Sequence, residues 1–252
     1  MKQKQPNQAG PLKASAISPA VLPKNPVPAK TSSMAGTCVI HASVKGQNIS
    51  EGMKAAFSEI SKELAKHGLG FHNIGFVQAQ LRSMDDLAAF NASFAGALGG
   101  NKPAGYCVIK EEGMPPGASA KIFMLASEGK KEPITPESFP APDGPFSYGI
   151  LSGRKIYVSG QFSPEKSGFD MQAALAVENV KAVLKAGGAS LQDVAEATFF
   201  CTDVVKFLER YDHFESIFPN WHVQINNVVQ VSGLPLGADF GMSCVAEKPK
   251  GK

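Results

Sequence analysis

The sequence predicts an α/β (α+β) protein made of two tandem copies of one small unit, each a mixed sheet with two helices on one face. Three observations predict it: an ungapped internal repeat, helix and strand patterns that recur in the same order in both copies, and two proline-rich spacers that set the copies apart.

The repeat is read directly. GGASLQDVAEATFFCTDVVKFLERYDHF, around Leu191, aligns with HGLGFHNIGFVQAQLRSMDDLAAFNASF, which lies 120 residues earlier. Gly68 falls on Gly188, Asn73 on Asp193, Ile74 on Val194, Leu87 on Phe207 and Phe94 on Phe214. At the same offset, Pro115 and Gly117 of GMPPGA meet Pro235 and Gly237 of GLPLGA.

Each copy then unfolds into the same elements. Met53, Phe57, Ile60 and Leu64 recur at helical spacing before Gly68, as do Ala173, Ala176, Val180 and Leu184 before Gly187 and Gly188. The short apolar runs IGFVQAQL and VAEATFFC follow as strands. A second helix carries Leu87, Phe90, Phe94 and Leu98 in copy one, opened by a box-like Ser83 and Asp86, and Phe207, Tyr211, Phe214 and Phe218 in copy two. Two strands close each unit: GYCVIKE and SAKIFMLAS, then NNVVQVSG and DFGMSCVA. Copy two opens with GPFSYGILSGRKIYVSGQF, whose Ser-Gly-Arg turn between apolar runs reads as a hairpin. Copy one has no such opening, so its sheet is expected to be shorter or completed by the preceding tail. Helices on one face leave the other face of each sheet apolar, so each should pack on another sheet, within the chain or between chains.

Four segments follow: a tail at 1–36, a first unit at 37–127, a linker at 128–143 and a second unit at 144–252. The tail holds five lysines, no acid and six prolines, a composition expected to be disordered and to favour an acidic partner surface. The net charge of +3 therefore hides a remainder with 20 basic and 22 acidic residues. Pro133, Pro136, Pro140 and Pro142 mark the linker as semi-rigid and extended.

No window reaches the roughly 20 apolar residues of a membrane helix, and the start lacks a secretory signal core. An intracellular, cytoplasmic protein is expected; the tail's lack of arginine and its prolines count against a mitochondrial presequence. Cys38, Cys107, Cys201 and Cys244 are scattered without CxxC spacing, so no metal, cofactor or disulfide framework is expected. Walker, dinucleotide-binding and HExxH motifs are absent, and the glycine-rich GGNKPAG at 99–105 reads as a turn between helix and strand.

The stretch from Gly144 to about Ala246 resembles the RidA (YjgF) family of reactive-intermediate deaminases. The resemblance rests on the opening G-P-aromatic-S, the VSGQ strand end, the AGGASLQDV turn and the VSGLPLGA close. It implies a chorismate-mutase-like fold and trimers with ligand clefts between neighbouring subunits. In active members an arginine binds the carboxylate of a 2-imino acid and a glutamate positions the hydrolytic water. Eleven residues before the LPxG glycine, the arginine's place, stand Tyr106 and Asn226; four residues after it, the glutamate's place, stand Lys121 and Gly241. The opening aromatic, usually tyrosine, is Phe146.

The expected function is accordingly a non-catalytic structural or scaffold subunit, docked through tail 1–36 into a larger protein or ribonucleoprotein assembly. Association through the sheets, as a homotrimer or hetero-oligomer, is the accompanying expectation. The alternatives are a 2-iminobutanoate/2-iminopropanoate deaminase-type hydrolase and a small-metabolite-binding regulator. Phe146, Ser147, Gln161, Asn226, Asn227 and Gly241 are the candidate ligand-binding residues, with no catalytic set. Tyr148 and Cys201 fall near the same region, with Cys201 read as core. His213 and His222 have no triad partners.

Overall fold

A computed structural model describes residues 30–34, 37–46, 48–101, 103–163, 168–217 and 225–249. Residues 1–29 of the tail, together with Phe218 and His222, lie outside these.

In the first repeat, strand β1 (Lys30–Met34) precedes β2 (Thr37–Lys45), helix α1 (Ile49–Lys66), β3 (Ile74–Leu81), α2 (Leu87–Leu98), β4 (Ala104–Lys110) and β5 (Ala118–Ser127). Next come β6 (Lys131–Ile134) and β7 (Phe146–Ser147). The second repeat holds β8 (Gly149–Ser152), β9 (Lys155–Phe162), α3 (Gly168–Ala186), β10 (Val194–Cys201), α4 (Val204–Leu208), α5 (Tyr211–Ile217), β11 (Ile225–Gln230) and β12 (Phe240–Glu247).

Local physics is the same in both copies. Gly68 and Gly188 end the long helices in left-handed backbone, at φ 69° and 81°, where a Cβ would be strained. The turns that follow are closed alike: Asn73 Oδ1 accepts from the Gly70 N–H at 2.9 Å, and Asp193 Oδ2 from the Ser190 N–H at 2.8 Å. The sheets have strand orders β1-β2-β5-β3-β4-β7 and β11-β10-β12-β9-β8-β6, the second matching the first when read backwards over β8-β9-β12-β10-β11, with β3–β4, β4–β7 and β10–β11 parallel and the other pairs antiparallel. Helices cover one face of each. Phe57, Ile60 and Leu64 of α1 meet Phe90 and Phe94 of α2 over the first sheet. Val177, Val180 and Leu184 of α3 meet Phe207 and Phe214 over the second.

The opposite faces pack on one another within the chain, as their apolar character requires. Phe76, Cys107 and Ile109 of the first sheet meet Tyr157, Phe200 and Val231 of the second repeat in a third apolar cluster.

Three expectations are corrected. The linker is not outside the cores: β6 pairs antiparallel with β8, burying Lys131 and Ile134, and Pro133 is tolerated because β6 is an edge strand. The boundary at Gly144 does not separate the sheets, because Phe146 and Ser147 pair in parallel with Ala104 and Gly105 of the first sheet. The hairpin proper is β8–β9, turning at Gly153 and Arg154. The second helix of copy two is broken into α4 and α5.

In copy one, Ser83 Oγ accepts from the Asp85 N–H, so the N-terminal cap is present without the reciprocal half. The tail completes the first sheet through β1, which pairs with β2.

Candidate functional site

The seam between the repeats is where a resemblance-based cleft would lie. It is built on β4, β7 and β9. The N–H of Tyr106 donates to Ser159 Oγ at 2.8 Å, and the Ser159 hydroxyl donates in turn to the Ser147 carbonyl. Ser147 Oγ donates to the Pro103 carbonyl at 3.2 Å, and Gln161 Nε2 to the Ser159 carbonyl at 3.1 Å. Further along, Lys110 and Gly233 exchange a bridge, the Lys110 N–H donating to the Gly233 carbonyl at 2.8 Å. These polar groups are therefore spent on backbone at the joint.

Tyr106 occupies the centre. Its ring stacks on Phe94 at 5.8 Å, and on Phe90 and Phe146 at 6.2 Å each, while its hydroxyl donates to Asn91 Oδ1 at 2.7 Å. Only 8% of the residue is exposed, and burial pushes its phenol well above the ordinary range, so it carries no charge. At the first position that the resemblance reserves for a carboxylate-binding cation, the protein has a neutral aromatic held on four sides.

The acid's position is likewise filled or inverted. A Cβ at Gly241 would come within 2.2 Å of Phe162 Cδ1, so the Phe162 ring occupies the space a side chain would need. Lys121, on β5 between Ser43 and Gln80, is a donor with no acceptor lone pair when charged.

The six candidate residues do not form one group. Phe146, Ser147 and Gln161 gather at the seam, with Gly241 on the strand beside Gln161. Asn226 and Asn227 lie on β11, three strand spacings or about 14 Å from β9. Asn227 is exposed, and the Asn226 side chain is outside the described residues.

Tyr148 packs edge-on to Phe139 and Phe146 in the second core. Cys201 is buried there too, its thiol pushed up to about 11 by burial and then by Asp203.

Sequence reasoning missed two contributors. Ser159 is the hydroxyl that joins the repeats, and a small polar residue within the apolar KIYVSGQF is the signal that marked it. Phe162, covering Gly241, left no such signal.

A concavity of about 560 Å³ lies away from the seam, between the start of β2, the end of β5 and the β8–β9 turn. Its guanidinium, Arg154, already donates twice to the Lys248 carbonyl and pairs with Glu247 at 3.5 Å. Among the described residues no group of three His, Cys, Asp or Glu can hold a metal, and no helix is long and apolar enough to cross a membrane.

Comparison with known proteins gives the same family from several directions. The family model described as Endoribonuclease L-PSP matches residues 136–248. A RutC family protein of Pyrococcus abyssi is 34% identical over 125 residues, covering 47% of this chain and 98% of that protein. The chloroplastic Reactive Intermediate Deaminase A of Arabidopsis thaliana is 30% identical over 134 residues, covering 50% of this chain and 71% of the plant protein. The 2-iminobutanoate/2-iminopropanoate deaminase of Bos taurus is 30% identical over 124 residues, 45% of this chain and 87% of the bovine one. A solved structure of RidA from an Antarctic Psychrobacter covers 46% of this chain and 98% of its own, at 30% identity and a TM-score of 0.41. With a relative 34% identical and aligned over nearly its full length, the chain belongs to the RidA (YjgF, RutC) family.

Proposed function

We propose that this chain is a non-catalytic RidA-like structural subunit, in which the seam between repeats is a joint and not a reaction cleft. The observation that carries the reading is Tyr106, stacked among Phe90, Phe94 and Phe146 where a carboxylate-binding cation would have to stand. A neutral ring forgoes the charge-assisted hydrogen bonds to a carboxylate, about 1.5–3 kcal/mol each. Gly241 under Phe162 and the cationic Lys121 leave neither repeat an acid to orient water. The basic tail is the proposed anchor in a larger protein or ribonucleoprotein assembly, by charge attraction alone.

The deciding assay generates 2-iminobutanoate in situ and follows 2-oxobutanoate. Release at the spontaneous rate is expected. Release well above it would establish the second reading, an imine deaminase, which the names of the plant and bovine relatives favour. Anchoring is read separately, from the native particle mass in extract with and without residues 1–36.

A further inference from the structure

Two side-chain hydrogen bonds cross between the repeats away from the seam, and both lie in the concavity at the β8–β9 turn. Lys155 Nζ of the second repeat donates to Thr37 Oγ1 of the first at 3.2 Å, and the hydroxyls of Ser127 and Ser152 meet at 3.1 Å. Thr37 and Ser152 are each 8% exposed, so the floor of the concavity carries buried hydroxyls. At about 560 Å³ the space is of the size that takes a small molecule, and it shares no lining residue with the seam. Thr37 stands on β2, three strand spacings or about 14 Å from β4, so this site is separate from the cleft positions around Tyr106.

The two walls carry opposite charge. The second repeat supplies Arg154 and Lys155. The first supplies Glu128 and the C-terminal end of α1 at His67, where the helix dipole is negative and the imidazole can donate or accept. Arg154 and Glu247 answer each other at 3.5 Å, and two further Arg154 N–H groups are spent on the Lys248 carbonyl. Lys155 and Glu128 do not pair with one another, and neither has an ion-pair partner among the described residues. A lone anion here would meet Glu128, and a lone cation would meet Lys155. A molecule that carries both charges answers both walls at once.

We propose that this concavity binds a small zwitterion, with an oxyanion and an ammonium on one short chain. The oxyanion lies on Lys155 beside the Thr37 hydroxyl, and the ammonium lies on Glu128. The two anchors belong to different repeats, so the ligand braces the molecule outside the seam and stabilises the folded chain by mass action. Lys155 is a point charge that takes a carboxylate or a phosphate alike, and the choice between them is made by experiment.

Isothermal titration calorimetry on the full chain tests this with 5-aminovalerate and O-phosphoethanolamine as probes, and with valerate and pentylamine as singly charged controls. Saturable binding of a zwitterion is expected, and the tighter of the two probes identifies the oxyanion. Each control should bind about tenfold more weakly or worse, having lost one charge-assisted contact. Glu128→Gln and Lys155→Gln, both at exposed positions, should each weaken the zwitterion by about tenfold while leaving the melting curve of the free protein in place. Glu128→Gln should then bind 5-aminovalerate no better than valerate, and Lys155→Gln no better than pentylamine. Should either variant misfold, Glu128→Ala or Lys155→Ala takes its place.

No saturable heat from either zwitterion at about 10 mM overturns the proposal, since affinity would then be too weak to order the site. So does a control that binds as tightly as the zwitterion, which would make this a simple ion site. Wild-type affinity in both variants overturns it as well, because the ligand would then lie elsewhere.

Discussion

The two repeats share a strand order but place their aromatic bulk differently. The second repeat sets Phe199 and Phe240 in mid-sheet beneath the helices, where the first has Ala79 and Ala120. The first instead puts Tyr106 on its β4 edge and Phe90 above it, where the second has Asn226 and Arg210. Core volume has migrated from the sheet centre to the sheet edge. One repeat thereby gained a joint, and the other has a strand, β11, with no outer neighbour among the described residues.

The sharpest way to break this comparison is Tyr106→Ala. It empties the centre of a stack that serves both core and seam, and is expected to cost about 3–5 kcal/mol. Asn227→Ala, at an exposed position of the second repeat, should stay within about 0.5 kcal/mol. Urea denaturation of both variants checks the pair, and equal midpoints would show that the edge carries no special weight.

Gly241→Glu comes next. Restoring an acid at this position drives a Cβ into the Phe162 ring, an overpacking expected to cost about 1–3 kcal/mol, with no gain of imine hydrolysis. Adding Phe162→Ala should recover part of the lost midpoint if the ring is the obstacle.

Ser159→Ala leaves the Tyr106 N–H buried without its acceptor, for a loss of similar size, about 1–3 kcal/mol. Hydrogen exchange at Tyr106 locates the damage. Faster exchange there is expected, while protection of the second repeat's own core amides should hold.

The smallest effect concerns the contact that replaces aromatic packing in the second repeat. Arg210 pairs with Asp170 and lies over the Phe169 ring at 5.4 Å; in the first repeat the same positions are Phe90 and Ser50. The hydrogen bond from Arg210 holds the Asp170 carboxyl below its ordinary range. A lowered folded-state value means stabilisation present above the unfolded value of about 3.9 and lost as pH falls through the folded one. The pair is exposed, so the effect is slight. Asp170→Asn should lower stability slightly near neutrality and converge on the wild type at the acid end, so that the fall of the stability-versus-pH curve between the two is flattened.

Much of this architecture was legible because it is local. IGFVQAQL and VAEATFFC become β3 and β10 at the residues their apolar runs mark, and the glycines after α1 and α3 stop both helices. The resemblance carried by the second repeat named the fold and directed attention to positions 106, 121, 226 and 241.

What stayed hidden is long-range. A two-residue strand such as Phe146–Ser147 has no period to read, and nothing nearby says that it joins the other repeat's sheet. Pro133 argued against a strand, although an edge position needs no N–H there. Tyr106 was visible as a missing arginine. Its role as a filler depends on Phe90 and Phe94 from a preceding helix and on Phe146 from forty residues later.

The crossed strands also govern how the protein is made. During synthesis the first repeat leaves the ribosome with β4 bare, and its sheet stays one strand short until Ser147 has emerged. The second sheet, in turn, borrows β6 from chain already extruded. Neither half can be finished before the other has begun, so a nascent chain stalled before Ser147 would expose an unpaired edge that the completed protein never shows.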